Sequence, residues 1–202
     1  MSQIALPLEL RGSAGNTRII VGNANQAVVD ALSDPSGWPF HTAMLTGPEK
    51  SGKSLLGQWT ASQGVAVIDD ADQVEETELF HRWNAAQERD EPLLVIANSQ
   101  PWEIALPDLR SRLGGSLQLE IGVPDDEMAG QLIEAFAVQR GLALGEGAVS
   151  YLVPRIERSF AGIGRLVEAI DRISLERKIP PTMSVWRDAL DQVQGPEQQR
   201  LI

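Results

Sequence analysis

Residues 47–54 read GPEKSGKS: a glycine, four variable positions, then Gly52, Lys53 and Ser54. No other stretch constrains the fold as strongly. It follows a short apolar run, HTAMLT, and precedes SLLGQWTASQ, which has helix-forming composition. A strand, a tight glycine-rich turn and a helix in that order make a P-loop, a site for phosphate oxygens. Glycines let the backbone wrap an anion, and the amide N–H groups of the helix N-terminus point at it. Gly47, Pro48, Glu49, Lys50, Ser51, Gly52, Lys53, Ser54 and the following Leu55 are therefore the expected nucleotide-binding residues. Lys53 is placed to reach the β- and γ-phosphates, and the Ser54 hydroxyl to reach Mg²⁺.

A second element completes the chemistry. VAVIDDAD at 65–72 is an apolar strand ending in carboxylates. Asp69 is expected at the Mg²⁺ site with Ser54, and Asp70 is placed to orient or deprotonate an attacking water. Asp72 reads as an N-cap for the helix that follows. In that helix, ETELFHRWNAAQER at 76–89, Leu79, Phe80, Trp83 and Ala86 fall at helical spacing. LLVIAN at 93–98 and LQLEI at 117–121 read as further buried strands. Apolar strands alternating with helices predict a parallel sheet covered on both faces.

The pattern changes after Pro124. DDEMAGQLIEAFAVQRG opens on Asp125 as a helix N-cap and places Met128, Leu132, Ala135 and Phe136 on one stripe. Three further helical segments follow, punctuated by Pro154 and Pro180–Pro181. The expected organisation is an α/β domain over 13–123 and a small all-helical lid domain over 124–202, with residues 1–12 as a separate N-terminal peptide.

Composition excludes several functions. With no cysteine there are no disulfides and no thiolate chemistry, as in a cytoplasmic protein. His41 and His81 lack metal-ligand spacing. The net charge of −11 disfavours general binding to phosphate backbones, so action at DNA is expected through a protein partner. No apolar run is long enough to span a membrane.

The order of motifs resembles the AAA+ ATPases, and within them the DnaA/Hda group. RIIVGNAN at 18–25 looks like the segment that lies beside the adenine, which implicates Ile20 and Val21. VIANS occupies the sensor 1 strand, with Asn98 or Ser99 as its polar residue. LPDLRSRL at 106–113 is similar to the box whose last arginine, here Arg112, acts as an arginine finger; Arg110 is the alternative. GIGRLVEAIDR at 162–172 looks like the sensor 2 helix, which makes Arg165 the sensor arginine. The resemblance implies ADP or ATP with Mg²⁺, bound between the two domains.

Three departures refine that expectation. Fifteen positions separate Ser54 from Asp69, too few for the elements DnaA carries there, so the sheet should be reduced by about one strand. Asp70 stands where most of these proteins have Glu, which implies slow intrinsic hydrolysis. The sequence ends at Ile202 with Arg200 the one basic residue after residue 193, where DnaA continues into a DNA-binding domain. The expected reading is an Hda-like regulator, at most a weak ATPase itself, that promotes hydrolysis of ATP bound to DnaA. Such regulators bind the replicative sliding clamp through an N-terminal peptide, and Gln3, Leu6, Pro7 and Leu8 match its pattern. DNA would then be met only through the clamp. The alternative for these residues is an N-terminal strand packed on its own sheet or on a second subunit. A homodimer is a further expected assembly. The alternative for the whole chain is a small stand-alone AAA+ ATPase or loader that remodels a protein partner.

Overall fold

A computed structural model describes residues 8–9, 18–98 and 101–198. The chain divides into two compact units at Gly122/Val123.

The first unit is built on four parallel strands, β3 Thr42–Thr46, β4 Ala66–Ile68, β5 Leu93–Ile96 and β6 Leu117–Glu120, in the spatial order β4-β5-β3-β6. Every residue of β5 is buried, as its uninterrupted LLVI run requires of a central strand flanked on both sides. In register, Leu45 lies beside Ile96 on one side and Leu119 on the other. The helices are α1 Gln26–Ser33, α2 Lys53–Ala61, α3 Glu76–Glu88 and α4 Pro107–Gly114. The short Ser54–Asp69 interval holds α2 and then leads straight into β4. Among the described residues, β4 has no strand beyond it and forms one edge of the sheet.

Helix α3 covers one face. Leu79, Trp83 and Ala86 join Ile68, Leu93, Val95, Leu109 and Leu113 in one apolar cluster. Their i, i+4, i+7 spacing is what the sequence displays. The helix starts where the Glu75 carboxylate accepts from the Glu78 amide at 3.0 Å. Trp83 is fixed at its polar end as well: its indole N–H donates to the Thr42 hydroxyl at 3.1 Å.

Two short strands stand apart from the main sheet. β1 Leu8–Glu9 pairs antiparallel with β2 Arg18–Ile19, with Leu8 opposite Ile19. β1 includes Leu8, one of the four residues expected to bind a clamp. Gln3, Leu6 and Pro7 lie outside the described residues.

The second unit is all helical: α5 Asp126–Gln139, α6 Ala148–Leu152, α7 Phe160–Arg177 and α8 Met183–Gln198, the last kinked at Gly195. Asp125 caps α5, its carboxylate accepting from the Met128 amide at 2.9 Å, and Ser159 caps α7 through Gly162 at 3.0 Å. Phe160, Ile163, Leu166, Val167, Ile170 and Ile173 form the buried stripe of α7. Val185, Trp186, Ala189 and Leu190 are buried on α8. No helix among the described residues is long and apolar enough to cross a membrane.

Candidate functional site

The glycine-rich turn lies at the C-terminal end of β3. Gly47 follows Thr46 with φ +154°, and a Cβ there would stand 2.8 Å from Ile121 Cβ. The turn thus packs directly against the end of β6, and only glycine fits. Gly52 precedes α2 with φ +90°, a left-handed conformation that costs glycine little. No side chain among the described residues caps α2, so the N–H groups of its first turn are left for a ligand.

Lys53 is buried, and its ammonium donates to the carbonyls of Gly47 at 2.9 Å and Pro48 at 3.0 Å. The side chain therefore reaches across the mouth of the turn. Burial holds it below the ordinary lysine range, while Asp69, Asp70, Asp72 and Glu49 pull it back up. Ser51 Oγ is buried and has no hydrogen-bond partner among the described residues. A buried hydroxyl inside a turn of amide donors is suited to an acceptor such as a phosphate oxygen. Pro48, Glu49, Lys50 and Ser54 are exposed, and Leu55 is half-buried. These features fit the phosphates of a nucleotide.

The 18–25 segment is brought to the same end of the sheet. Ile121 N–H donates to Thr46 O at 2.9 Å, and Gly122 N–H to Ala24 O at 2.8 Å. Asn25 is buried and ties the segment into a turn: it accepts from Gly22 N–H at 2.9 Å and donates to Ile20 O at 2.9 Å. Half-buried Ile20 and Val21 are thus fixed relative to the P-loop through Ala24, Gly122 and Gly47. Sequence reading missed Asn25. A buried amide closing a turn on its own backbone is common for Asn, but the sequence does not mark it as buried.

The carboxylates are linked to the neighbouring strand. Asp69 follows β4, is exposed, and accepts from the Asp70 amide at 3.0 Å. Asp70 adopts φ +50°. Asn98, just past β5, donates its side-chain amide to the Asp70 carboxylate and its backbone N–H to Asp72 at 3.2 Å. Asn98 thereby holds the carboxylate loop; Ser99 lies outside the described residues. Among the described residues, no three His, Cys, Asp or Glu side chains cluster to hold a metal alone. A cation at Ser54 and Asp69 would need phosphate oxygens as further ligands.

The three arginines differ in their surroundings. Arg112, half-buried on α4, lies with its guanidinium 4.4 Å from the Trp83 ring centre and 4.8 Å from that of Phe80, and donates to Asn84 Oδ1 at 3.0 Å. Arg110 donates to the carbonyls of Ile104 at 2.8 Å and Ala105 at 3.3 Å, bracing the loop before its own helix. Arg165 is exposed on α7, with no partner among the described residues; nearby Glu168 instead faces Arg140 at 4.0 Å.

No family model matches the chain. Its sequence is 25% identical over 189 residues, 86% of its length, to the chromosomal replication initiator protein DnaA of Rhizobium johnstonii, of which it spans 38%. It is 29% identical over 124 residues, 60% of its length, to DnaA of Thermus thermophilus, of which it spans 28%. The chain thus covers well under half the length of these relatives. Among solved structures, domain III of the Thermotoga maritima replication initiation protein DnaA superposes with a TM-score of 0.71, covering 87% of this chain and 95% of that one at 14% identity. AMPPCP-bound DnaA from Aquifex aeolicus gives 0.56 at 21% identity, over 79% of this chain and 65% of that one. The chain is thus similar in sequence to part of the replication initiator DnaA and has the fold of DnaA domain III.

Proposed function

We propose that this chain is a nucleotide-binding AAA+ regulator of replication initiation of the Hda type. It promotes hydrolysis of ATP bound to DnaA by lending Arg112 across a shared interface, and it is tethered to the sliding clamp by Gln3, Leu6, Pro7 and Leu8. The observation that carries this reading is where Arg112 stands. Trp83, beneath its guanidinium, is bonded to Thr42, the first residue of β3. The P-loop begins at Gly47, past the other end of that strand. Five residues of strand at about 3.3 Å each separate the two by about 16 Å. Arg112 thus stands by the opposite end of β3 from its own P-loop, which supports its acting on a phosphate held by another molecule. An arginine at the γ-phosphate neutralises charge that builds as the terminal phosphoryl group leaves.

The chain's own nucleotide, ADP or ATP with Mg²⁺, supplies the anion to which Lys53, Ser51 and the first turn of α2 are matched. These residues bind and orient it. Asp69 and Ser54 are the groups that face Mg²⁺. The similar DnaA from Aquifex aeolicus is AMPPCP-bound, which supports a nucleotide at this P-loop. Asp70, shorter than Glu and held by Asn98, favours slow turnover of that nucleotide and a regulatory role over a stand-alone ATPase.

The clamp tether is tested by retention on DNA-loaded clamp. A chain carrying Gln3→Ala, Leu6→Ala and Leu8→Ala is expected to keep its melting temperature and nucleotide affinity while losing clamp binding. Short peptides of this kind bind weakly, so the second contact, with DnaA, sets the working affinity. Retention equal to the parent's, or loss of folding in the triple variant, would remove the tether.

A further inference from the structure

Phe80, Trp83 and Asn84 sit at i, i+3 and i+4 of α3 and share one face of that helix. All three touch Arg112: two through their rings and one through its amide oxygen. None carries charge. Arg82, Arg158 and Arg177, by contrast, each end on a carboxylate. Among the described residues no carboxylate forms an ion pair with Arg112, although Glu88 lines the same shallow groove beside it, with His81 and Gln87. The Trp83 end of the cradle cannot drift, because its indole is buried and bonded to β3. Only one guanidinium nitrogen of Arg112 has a hydrogen-bond partner among the described residues. Its remaining donors are left for another acceptor.

We propose that Asn84, backed by the rings of Phe80 and Trp83, is a positioning residue that presents Arg112 as a preset, un-neutralised cation to the phosphate oxygens of a nucleotide held by another molecule. This rests on the reading of Arg112 as an arginine acting in trans. A planar guanidinium already stacked and hydrogen-bonded loses little freedom when it meets the anion. Neutral holders fix its direction and leave its charge intact. A carboxylate in place of the Asn84 amide would fix the same geometry and cancel the charge. That difference separates positioning from a plain structural contact.

The test measures hydrolysis of ATP prebound to purified DnaA, with DNA-loaded clamp, across concentrations of the full chain or its Asn84→Ala, Asn84→Asp, Phe80→Leu and Arg112→Ala variants. Asn84→Ala and Phe80→Leu are each expected to lower the maximal stimulated rate roughly tenfold. The concentration giving half-maximal stimulation should stay unchanged. The isosteric Asn84→Asp is expected to lose at least as much while melting no lower than the parent. Full stimulation by Asn84→Asp and Asn84→Ala, with Arg112→Ala inactive, overturns the positioning role and leaves the trans arginine standing. Higher stimulation by Asn84→Ala also overturns it, because the cradle would then be storing Arg112 rather than presenting it. Full stimulation by Arg112→Ala, or none by the parent chain, overturns the underlying reading and the proposal with it.

Discussion

Arg112→Ala is expected to fold, bind nucleotide as the parent does, and lower the stimulated hydrolysis of DnaA-bound ATP by about 10³-fold or more. The size follows from what an arginine supplied across an interface contributes to phosphoryl transfer, about 10³–10⁵ in rate. The side chain also makes contacts within its own unit: two rings and one amide oxygen. Each exposed or half-exposed cation–π contact contributes roughly 0.5–1 kcal/mol, so a fall of a few degrees in melting temperature accompanies the change. Nucleotide affinity is the discriminating control, because the P-loop lies at the other end of β3. Stimulation within a few-fold of the parent would remove the arginine's role. Arg110 is a poor substitute for it, since its guanidinium already braces Ile104 and Ala105.

Lys53→Ala is expected to remove most of the thermal stabilisation conferred by ADP or ATP. A ligand at about 100 times its Kd stabilises a protein by about 2.7 kcal/mol, several degrees for a chain of this size. A charge-assisted hydrogen bond contributes about 1.5–3 kcal/mol, so losing the lysine raises Kd by roughly ten- to a hundredfold. At the upper end, the same ligand concentration shifts the melting temperature by only about a degree. The shift is measured against each variant's own unliganded melting temperature, because Lys53 also holds the Gly47 and Pro48 carbonyls. An undiminished shift would mean that nucleotide binds elsewhere.

Much of this was legible in the sequence because it depends on neighbours along the chain. The strand–turn–helix around Lys53, the buried β5, the apolar face of α3 and the Asp125 cap are all set by periodicity and local chemistry. Elements that depend on register were hidden. Helix α1 begins after Asn25, whose side-chain amide bonds back to Gly22 and Ile20 instead of capping the helix. The bond between Asn98 and Asp70 spans 28 positions and exists only because β4 and β5 are neighbours. Arg112 and Asn84, also 28 apart, meet only when α4 packs beside α3. The motif names Arg112, but nothing local says that it is held by two rings. Ser51 reads as one small residue among several until its hydroxyl is found buried, with no hydrogen-bond partner among the described residues.

The central claim, that this chain acts on nucleotide bound to another AAA+ molecule, is tested most directly by single-turnover hydrolysis. ATP labelled at the γ-phosphate is loaded on DnaA, DNA-loaded clamp is added, and phosphate release is followed with and without this chain. The expected result is acceleration that requires this chain and is lost with Arg112→Ala. An unchanged rate on DnaA, together with rapid turnover of ATP by this chain alone, would contradict it.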